Sequence, residues 1–251
     1  MKKIVLIISL VILAFNANAI DQISLLKEAN TSYSKNDFDQ ALKQYQKILD
    51  SGYVSASLYY NMANTYYKSK NIKNAILFYE RAKLLNPGDK DIDFNLGMAR
   101  NSTVDKIEAM PEVFFITWIR TIQFKLVENS WAKISIFCFI LSLMLFLIYL
   151  LSKSIFWKKF SFWISLLIFC FTICSFIFGY QLKEIQLAKN NAIIFTPSVS
   201  AKSSPSESGN NLFIIHEGTK VELLDHVGNW TEIKLADGSR GWVKTADFEI
   251  I

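Results

Sequence analysis

Hydrophobic residues gather into three runs along the chain, and the length of each run sets the first predictions. The earliest run, Ile4–Phe15, is too short to cross a hydrocarbon core of about 30 Å. It follows Lys2-Lys3 and precedes the small-residue motif Ala17-Asn18-Ala19. We therefore predict that residues 1–19 are a secretory signal peptide, with an uncleaved membrane anchor as the alternative.

The two later runs, Ile134–Ser152 and Phe160–Leu182, contain no charged residue and are long enough to cross a bilayer. They predict transmembrane helices over residues 131–152 and 160–182. The turn between these helices, residues 153–159, carries lysines and no acid. The positive-inside rule places this turn in the cytoplasm, so we expect both ends of the hairpin to lie outside it.

The segment before the hairpin, residues 111–130, is also apolar, but Arg120 and Lys125 interrupt it. This pattern predicts an amphipathic helix that lies on the membrane surface or against the hairpin. A continuous extension of the first span is the alternative. No Asp, Glu, His, Arg or Lys lies deep in either predicted span, which argues against a transporter.

Residues 20–110 show helical periodicity, with two near-copies at about 22–55 and 56–89. Their spacing resembles the tetratricopeptide repeat (TPR), a helix–turn–helix unit of about 34 residues. The first copy departs from the pattern at Ser32 and at Gly52-Tyr53, and a third helix, 91–102, is predicted to cap the stack. The residues that carry the pattern are Ala29, Ala41, Tyr45 and Ile48 in the first copy and Tyr59, Met62, Ala63, Tyr66, Ala75, Tyr79, Ala82 and Pro87 in the second.

A stack of this kind has a concave face lined by the first helix of each repeat. The functional interpretation is a groove that binds an extended peptide or a partner segment. The alternative is a solvated surface that only spaces the domain from the membrane, and the aromatic repeat residues are expected in the core. The candidate groove residues are Asn30, Tyr33, Asn61, Asn64, Tyr67 and Lys68.

After Lys189 the pattern changes to short alternating strands with turns at Gly228-Asn229 and Asp237-Gly238, which predicts a small antiparallel barrel within residues 183–251. The stretch Pro197–Asn211 is rich in Ser, Pro, Gly and Asn, and we predict a loop there. The motifs His216-Glu217-Gly218-Thr219, Asn229-Trp230 and Gly241-Trp242-Val243 resemble a bacterial SH3-like domain. That resemblance implies cell-wall or protein contacts, with Trp230 as the candidate contact and Trp242 expected to pack the barrel.

Charge and side-chain chemistry narrow the function. The net charge of +5 arises mainly from the leader and the surroundings of the apolar runs, so neither soluble domain offers the basic face that nucleic acid needs. The three cysteines all lie in apolar runs, which leaves no disulfide framework and no thiolate metal site. The carboxylates alternate with lysines at helical spacing and predict a solvated face. Neither histidine has a nucleophile nearby in sequence, so we expect no enzyme and no cofactor or metal.

The fold class predicted is therefore a multidomain membrane protein with an all-α TPR repeat, a two-helix transmembrane hairpin and a small all-β SH3-like barrel. This order of parts, with the linking stretches Asn95–Asn101 and Val104–Glu108, resembles the BatE-type Bacteroides aerotolerance proteins. That family occurs with von Willebrand A-type membrane proteins and a MoxR-type ATPase. The resemblance implies a scaffold in the bacterial inner membrane, with both domains periplasmic, that assembles such partners in aerotolerance or envelope stress. The alternative is a cell-wall sensor whose barrel binds peptidoglycan.

Overall fold

The structure is a computed structural model that describes residues 24–111 and 113–251. The predicted signal peptide lies outside these described residues. The described chain forms two compact units. One contains the repeat helices up to Ala82, residues 91–108 and the C-terminal sheet, and the other contains residues 83–90 and 109–190. The predicted fold class is confirmed, with a helical repeat, two long apolar helices and an antiparallel sheet domain.

Five helices make up the repeat region from residue 24, where the described chain begins. Asp37 and Ser55 end the preceding loops as N-caps, since their side-chain oxygens accept hydrogen bonds from the backbone N–H groups of Gln40 and Leu58. The helices are α1 over residues 24–34, α2 Phe38–Asp50, α3 Ala56–Lys68, α4 Ile72–Leu85 and α5 Lys90–Arg100.

The two copies repeat in three dimensions as they do in sequence. Asn36 and Lys70, one repeat apart, both adopt a positive φ of about 60° in the turn between paired helices. The small residues of both copies are fully buried, which allows the paired helices to approach closely. These buried small residues are Ala29, Ala41, Ala63 and Ala75.

The membrane-type unit consists of α6 Phe114–Gln123, α7 Glu128–Leu151 and α8 Ile155–Leu187. Helices α7 and α8 are long and apolar enough to cross a membrane. They meet through small polar residues: Ser142 Oγ donates to the backbone oxygen of Ser165 at 3.1 Å, and Ser165 Oγ donates to that of Ser142 at 2.9 Å. Such residues let two apolar helices pack closely while most of their large side chains face outward.

The connection between α7 and α8 is shorter than the turn predicted over residues 153–159. Helix α8 begins at Ile155, so Lys158 and Lys159 lie in its first turns rather than in a loop. No Gly or Pro interrupts this stretch, and the helix therefore extends beyond the apolar run.

Helix α6 ends against the hairpin, where the Gln123 side chain donates to Gln181 Oε1 at 3.0 Å. Its apolar side chains, such as Phe114 and Trp118, are exposed.

The C-terminal domain is one seven-stranded sheet in the order β3-β2-β6-β5-β4-β1-β7, with its inward side chains forming a separate apolar core. Gly238, with φ of 90°, makes the tight turn between β5 and β6. A 3₁₀ turn, Thr245–Asp247, precedes the last strand. The strands are β1 Asn191–Ile194, β2 Ser198–Lys202, β3 Asn211–His216, β4 Lys220–Val227, β5 Trp230–Lys234, β6 Arg240–Lys244 and β7 Phe248–Ile250.

The loop predicted over Pro197–Asn211 is wrong at its start, because β2 occupies Ser198–Lys202. Only Val199 and Ala201 point into the core from this strand, and the residues around them are serines and a lysine. Local propensity for a strand is therefore weak. Pairing with β3 on one side and β6 on the other stabilises the strand.

The barrel packs against the repeat helices within one compact unit, an arrangement that the sequence did not predict. From α4, Lys73 Nζ lies 2.8 Å from Glu217 Oε2, and an Arg81 nitrogen donates to the backbone oxygen of Ile250 at 2.6 Å. The prediction that the carboxylates form a solvated face is wrong for Glu80, which is only 3% exposed. Tertiary packing buries it because the barrel covers its helix.

Candidate interaction surfaces

The concave face of the repeats carries a ladder of asparagines and tyrosines. Tyr45, on the second helix of the first repeat, donates its hydroxyl proton to Asn30 Oδ1 at 2.7 Å. One repeat later, Tyr79 donates to Asn64 Oδ1 at 2.6 Å. The two tyrosines are buried, as expected of core residues, but their hydroxyls reach the groove side and orient its amides.

A second set of bonds joins neighbouring repeats. Asn61 Nδ2 donates to Asn30 Oδ1 at 3.2 Å, and Asn95 Nδ2 donates to Asn64 Oδ1 at the same distance. Asn95 Nδ2 also lies 2.7 Å from the hydroxyl of Tyr60. The ladder therefore consists of two hydrogen-bonded groups: one joins α1, α2 and α3 at Asn30, and the other joins α3, α4 and α5 at Asn64. Three of the candidate groove residues, Asn30, Asn61 and Asn64, belong to these groups.

The tyrosines act as neutral donors in this network. Burial, with a smaller contribution from Tyr33, raises the pKa of Tyr45 to about 12. The pKa of Tyr79 is also raised, again chiefly by burial, with contributions from Tyr60, Tyr33 and Tyr67. Each phenol keeps its proton at physiological pH, so the asparagine oxygens are always acceptors here.

Because the Oδ1 atoms of Asn30 and Asn64 are used in the ladder, their Nδ2 groups remain as donors. No hydrogen bond within residues 24–111 and 113–251 occupies these two amide nitrogens. A fixed pair of N–H donors suits carbonyl or carboxylate oxygens, which an extended peptide supplies at regular intervals. The arrangement can bind and orient a chain segment, and it offers no nucleophile.

The remaining candidate groove residues differ in their surroundings. Tyr33 and Tyr67 are partly buried against the repeat core, whereas Lys68 is exposed at the end of α3. Sequence reasoning missed Tyr60 and Asn95 as members of the ladder. The signal for Asn95 was present, because it stands one repeat length after Asn61.

The outer face of the barrel presents two tryptophans. Trp230 pairs with Lys244 across β5 and β6, and Trp242 pairs with Glu232, so the two rings are diagonal neighbours on one face. The Lys244 ammonium lies 5.8 Å from the centroid of the Trp230 ring. Trp242 was expected to pack the barrel, but it faces outward and is partly exposed, while Val243 fills the core.

The carboxylates near the barrel make structural contacts. Asp105 Oδ1 lies 2.8 Å from His216 Nδ1, while Asp105 Oδ2 accepts from the His216 backbone N–H and the Thr219 hydroxyl, both at 2.7 Å. Burial opposes ionisation, but the bonds from Thr219 and His216 outweigh it and lower the pKa of Asp105. Across the described residues, no group of His, Cys, Asp and Glu side chains is arranged to hold a metal ion.

The helical repeat and the antiparallel barrel are the folds of interaction modules, and comparison with protein families gives the same class. The tetratricopeptide repeat family model matches residues 56–89. The bacterial SH3 domain family model matches residues 198–249. Both families are typically non-catalytic: the repeat mediates protein–protein interaction, and the bacterial SH3 domain is associated with cell-wall binding. No curated protein matches the sequence significantly.

Proposed function

We propose that this protein is a non-enzymatic scaffold anchored in the bacterial inner membrane, with the repeat groove and the barrel both on the periplasmic side. The observation that carries the proposal is the asparagine–tyrosine ladder, which occupies the Asn30 and Asn64 amide oxygens and leaves their N–H groups without a partner among the described residues. Helices α7 and α8 supply the anchor. The lysines near their connection and the predicted signal peptide favour the periplasmic orientation.

The proposed partners are von Willebrand A-type membrane proteins and other members of an aerotolerance or envelope-stress complex. This part of the proposal rests on the resemblance to BatE-type proteins in the order of domains. The groove would bind an extended segment of such a partner through its backbone carbonyls, a mode that needs fixed donors rather than a deep pocket.

Affinity purification of the full chain from native membranes tests the scaffold. We expect von Willebrand A-type membrane proteins to be recovered with the unmodified chain and lost with Asn30→Asp, which keeps the oxygen that Tyr45 and Asn61 bond but replaces the amide donor with an acceptor. The matched control is Gln46→Ala, an exposed amide on α2. The scaffold proposal fails if none of these proteins is recovered with a folded chain, or if both variants recover them equally.

Protease digestion of spheroplasts tests the orientation separately. We expect the repeat and barrel segments to be cleaved in intact spheroplasts and the connection near Lys153 to be protected. Protection of both soluble segments would contradict the periplasmic orientation.

A second candidate function is recognition of peptidoglycan by the barrel, favoured by the two partly exposed tryptophans on one face. Aromatic faces stack on sugar rings, and Lys244, which pairs with Glu207 at 2.6 Å, lies beside the Trp230 ring. Full-length protein in detergent should sediment with purified sacculi, and Trp230→Ala should reduce the pelleted fraction. Trp118→Ala, an exposed tryptophan outside the barrel, is the control. Absence of pelleting by the unmodified chain would exclude this function.

A further inference from the structure

Helix α5 carries apolar side chains on two opposite sides, but only one side packs against the rest of the repeat stack. Ile92, Leu96 and Ala99 are buried against the preceding helices. On the opposite side of the helix, Phe94 is 68% exposed and Met98 is 41% exposed. A helix that only ends a stack needs a polar outer face for solubility. The outer face of α5 instead exposes two large apolar side chains at positions four residues apart.

The repeat itself shows what belongs on this face. Gly97 stands one repeat after Ala63, which stands one repeat after Ala29. Both alanines are fully buried, in the same apolar cluster as Ala41 and Ala75 of the second helices. At Gly97 an added Cβ would meet no atom within 4 Å. Helix α5 therefore corresponds to the first helix of a third repeat, and among the described residues no second helix packs at Gly97.

The described chain downstream does not supply that helix. After Arg100 the backbone turns through Asn101–Thr103 and continues without helix as far as residue 111. Along this path Ile107 packs against the barrel core. Among the described residues, the helices with a small residue followed by an aromatic residue four positions later are already packed: α1–α4 in the repeats, and α7 and α8 against each other. Helix α6 contains no Gly, Ala or Ser.

The side chains on α5 also describe the chemistry of the missing helix. In the complete repeats the buried alanine is followed by Asn30 or Asn64, which accepts a hydrogen bond from a tyrosine of the second helix. In α5 the equivalent residue is Met98, which offers only a weak acceptor. Phe94 stands where Tyr60 packs on Tyr79, with their ring centroids 6.0 Å apart. An aliphatic or non-hydroxylated aromatic side chain suits this position better than tyrosine.

We propose that the Phe94–Gly97–Met98 face of α5 docks an amphipathic helix from another protein, which completes the third repeat in trans. The docking helix places a small residue against Gly97 and an apolar side chain, four residues later, on Phe94 and Met98. The inference does not depend on the proposed function, because it rests on the repeat geometry alone.

The test uses full-length protein in nanodiscs and a fluorescent, helix-stabilised peptide that stands in for the missing helix. The peptide has the sequence of α4, Ile72–Leu85, with Tyr79→Phe to remove the hydroxyl. Binding is measured by fluorescence anisotropy. Two protein variants form a matched pair: Gly97→Ala restores the residue type of Ala63, whereas Gly97→Leu fills the space that a docked helix needs. Neither substitution meets a neighbouring atom at Cβ in the free chain.

We expect saturable binding to the unmodified protein, retained in Gly97→Ala and weakened by roughly tenfold or more in Gly97→Leu. A control peptide that also carries Ala75→Leu should bind the unmodified protein as weakly as the original peptide binds the Gly97→Leu protein. The groove variant Asn30→Asp should bind the probe with affinity within about threefold of the unmodified protein, which separates this site from the proposed function. Far-UV circular dichroism checks that the helical content of each variant is unchanged.

Two results would overturn the proposal. One is the absence of saturable binding, or equal affinity in the Gly97→Ala and Gly97→Leu variants. The other is self-association of the full chain that disappears in Gly97→Leu, measured by analytical ultracentrifugation of the detergent-solubilised protein. That outcome would identify a second copy of this chain, not a different protein, as the occupant.

Discussion

The salt bridge between Lys220 and the buried Glu80 provides the sharpest test of how the barrel and the repeat are held together. Lys220 Nζ lies 2.8 Å from Glu80 Oε2, and Arg100 pairs with the other carboxylate oxygen. Glu80 is 3% exposed, whereas the Lys220 and Arg100 side chains are 36% and 47% exposed. The carboxylate alone has lost its water, so its two cations must compensate for that loss. The perturbation is Lys220→Met, which keeps the apolar stem and removes the charge.

The expected loss of stability follows from the contacts that Glu80 keeps in the variant. Removing one partner from a buried ion pair costs about 3–5 kcal/mol, because a buried charge is left uncompensated. Arg100 still contacts Glu80 in this variant, so we expect a loss at the lower end, about 3 kcal/mol. The matched control is Lys234→Met, because Lys234 Nζ lies 3.0 Å from Glu222 in an exposed pair. Pairs of that kind contribute about 0–1 kcal/mol.

Hydrogen–deuterium exchange of the full-length protein in detergent measures both variants. A loss of about 3 kcal/mol accelerates exchange through global opening by roughly a hundredfold. We expect this acceleration in the slowest amides of both α4 and β4, since Glu80 joins the two elements. In the double variant Glu80→Gln with Lys220→Met, part of the stability should return, because no uncompensated charge is buried.

Two outcomes would refute this reasoning. If Lys220→Met accelerates exchange no more than Lys234→Met does, burial of Glu80 does not govern the strength of the pair. If α4 is unaffected while β4 exchanges faster, the barrel and the repeat do not unfold together, and the salt bridge is not their link.

Three further predictions concern the turn, the ladder and pH. Lys70→Asn should raise the free energy of unfolding, measured by urea denaturation, by about 0.5–1 kcal/mol. The reason is that Lys70 has a positive φ, which asparagine tolerates better, as Asn36 does one repeat earlier. An unchanged or lower stability would contradict this. Tyr79→Phe should lower it by about 1 kcal/mol through the lost bond to Asn64, and equal stability would show that the ladder contributes nothing. Burial alone would raise the pKa of Glu80, but the charges of Lys220 and Arg100 lower it. The ionised Glu80 side chain therefore stabilises the fold fully above the pKa of about 4.3 that it has in the unfolded chain. This stabilisation is lost as the pH falls through the lower pKa that Glu80 has in the folded protein. The difference in stability between the unmodified protein and Glu80→Gln should therefore shrink on acidification below that pH, and a constant difference would refute the assignment.

Prediction from sequence succeeded where the signal is periodic and local. The recurrence of Ala29 at Ala63 marks a position where helices approach closely, and the structure buries both. It failed where pairing partners are distant in sequence. Strand β2 is short and serine-rich, and only its neighbours β3 and β6 make it a strand. Trp242 was misplaced because a hydrophobic residue in a strand does not reveal which face it occupies until the register is known.

For the candidate groove, likewise, the sequence predicted the positions of the residues but not the hydrogen bonds between them. The groove asparagines stand at repeat positions, so their place on the first helices could be read from spacing. Their hydrogen bonds to Tyr45 and Tyr79 join residues on different helices, and the ladder to Asn95 joins different repeats. Nothing in local propensity reports such bonds, because they depend on the crossing of helices.

The sequence by itself determined the repeat length, the two apolar helices and the barrel class, since each is encoded in the period or length of a hydrophobic pattern. Only the tertiary structure decided that the barrel covers α4 and buries Glu80, and that Gly97 faces open space. Both facts depend on which surfaces meet. A charged residue on a helix is solvated or buried according to its neighbour, and a glycine is a packing position only when the next helix is known.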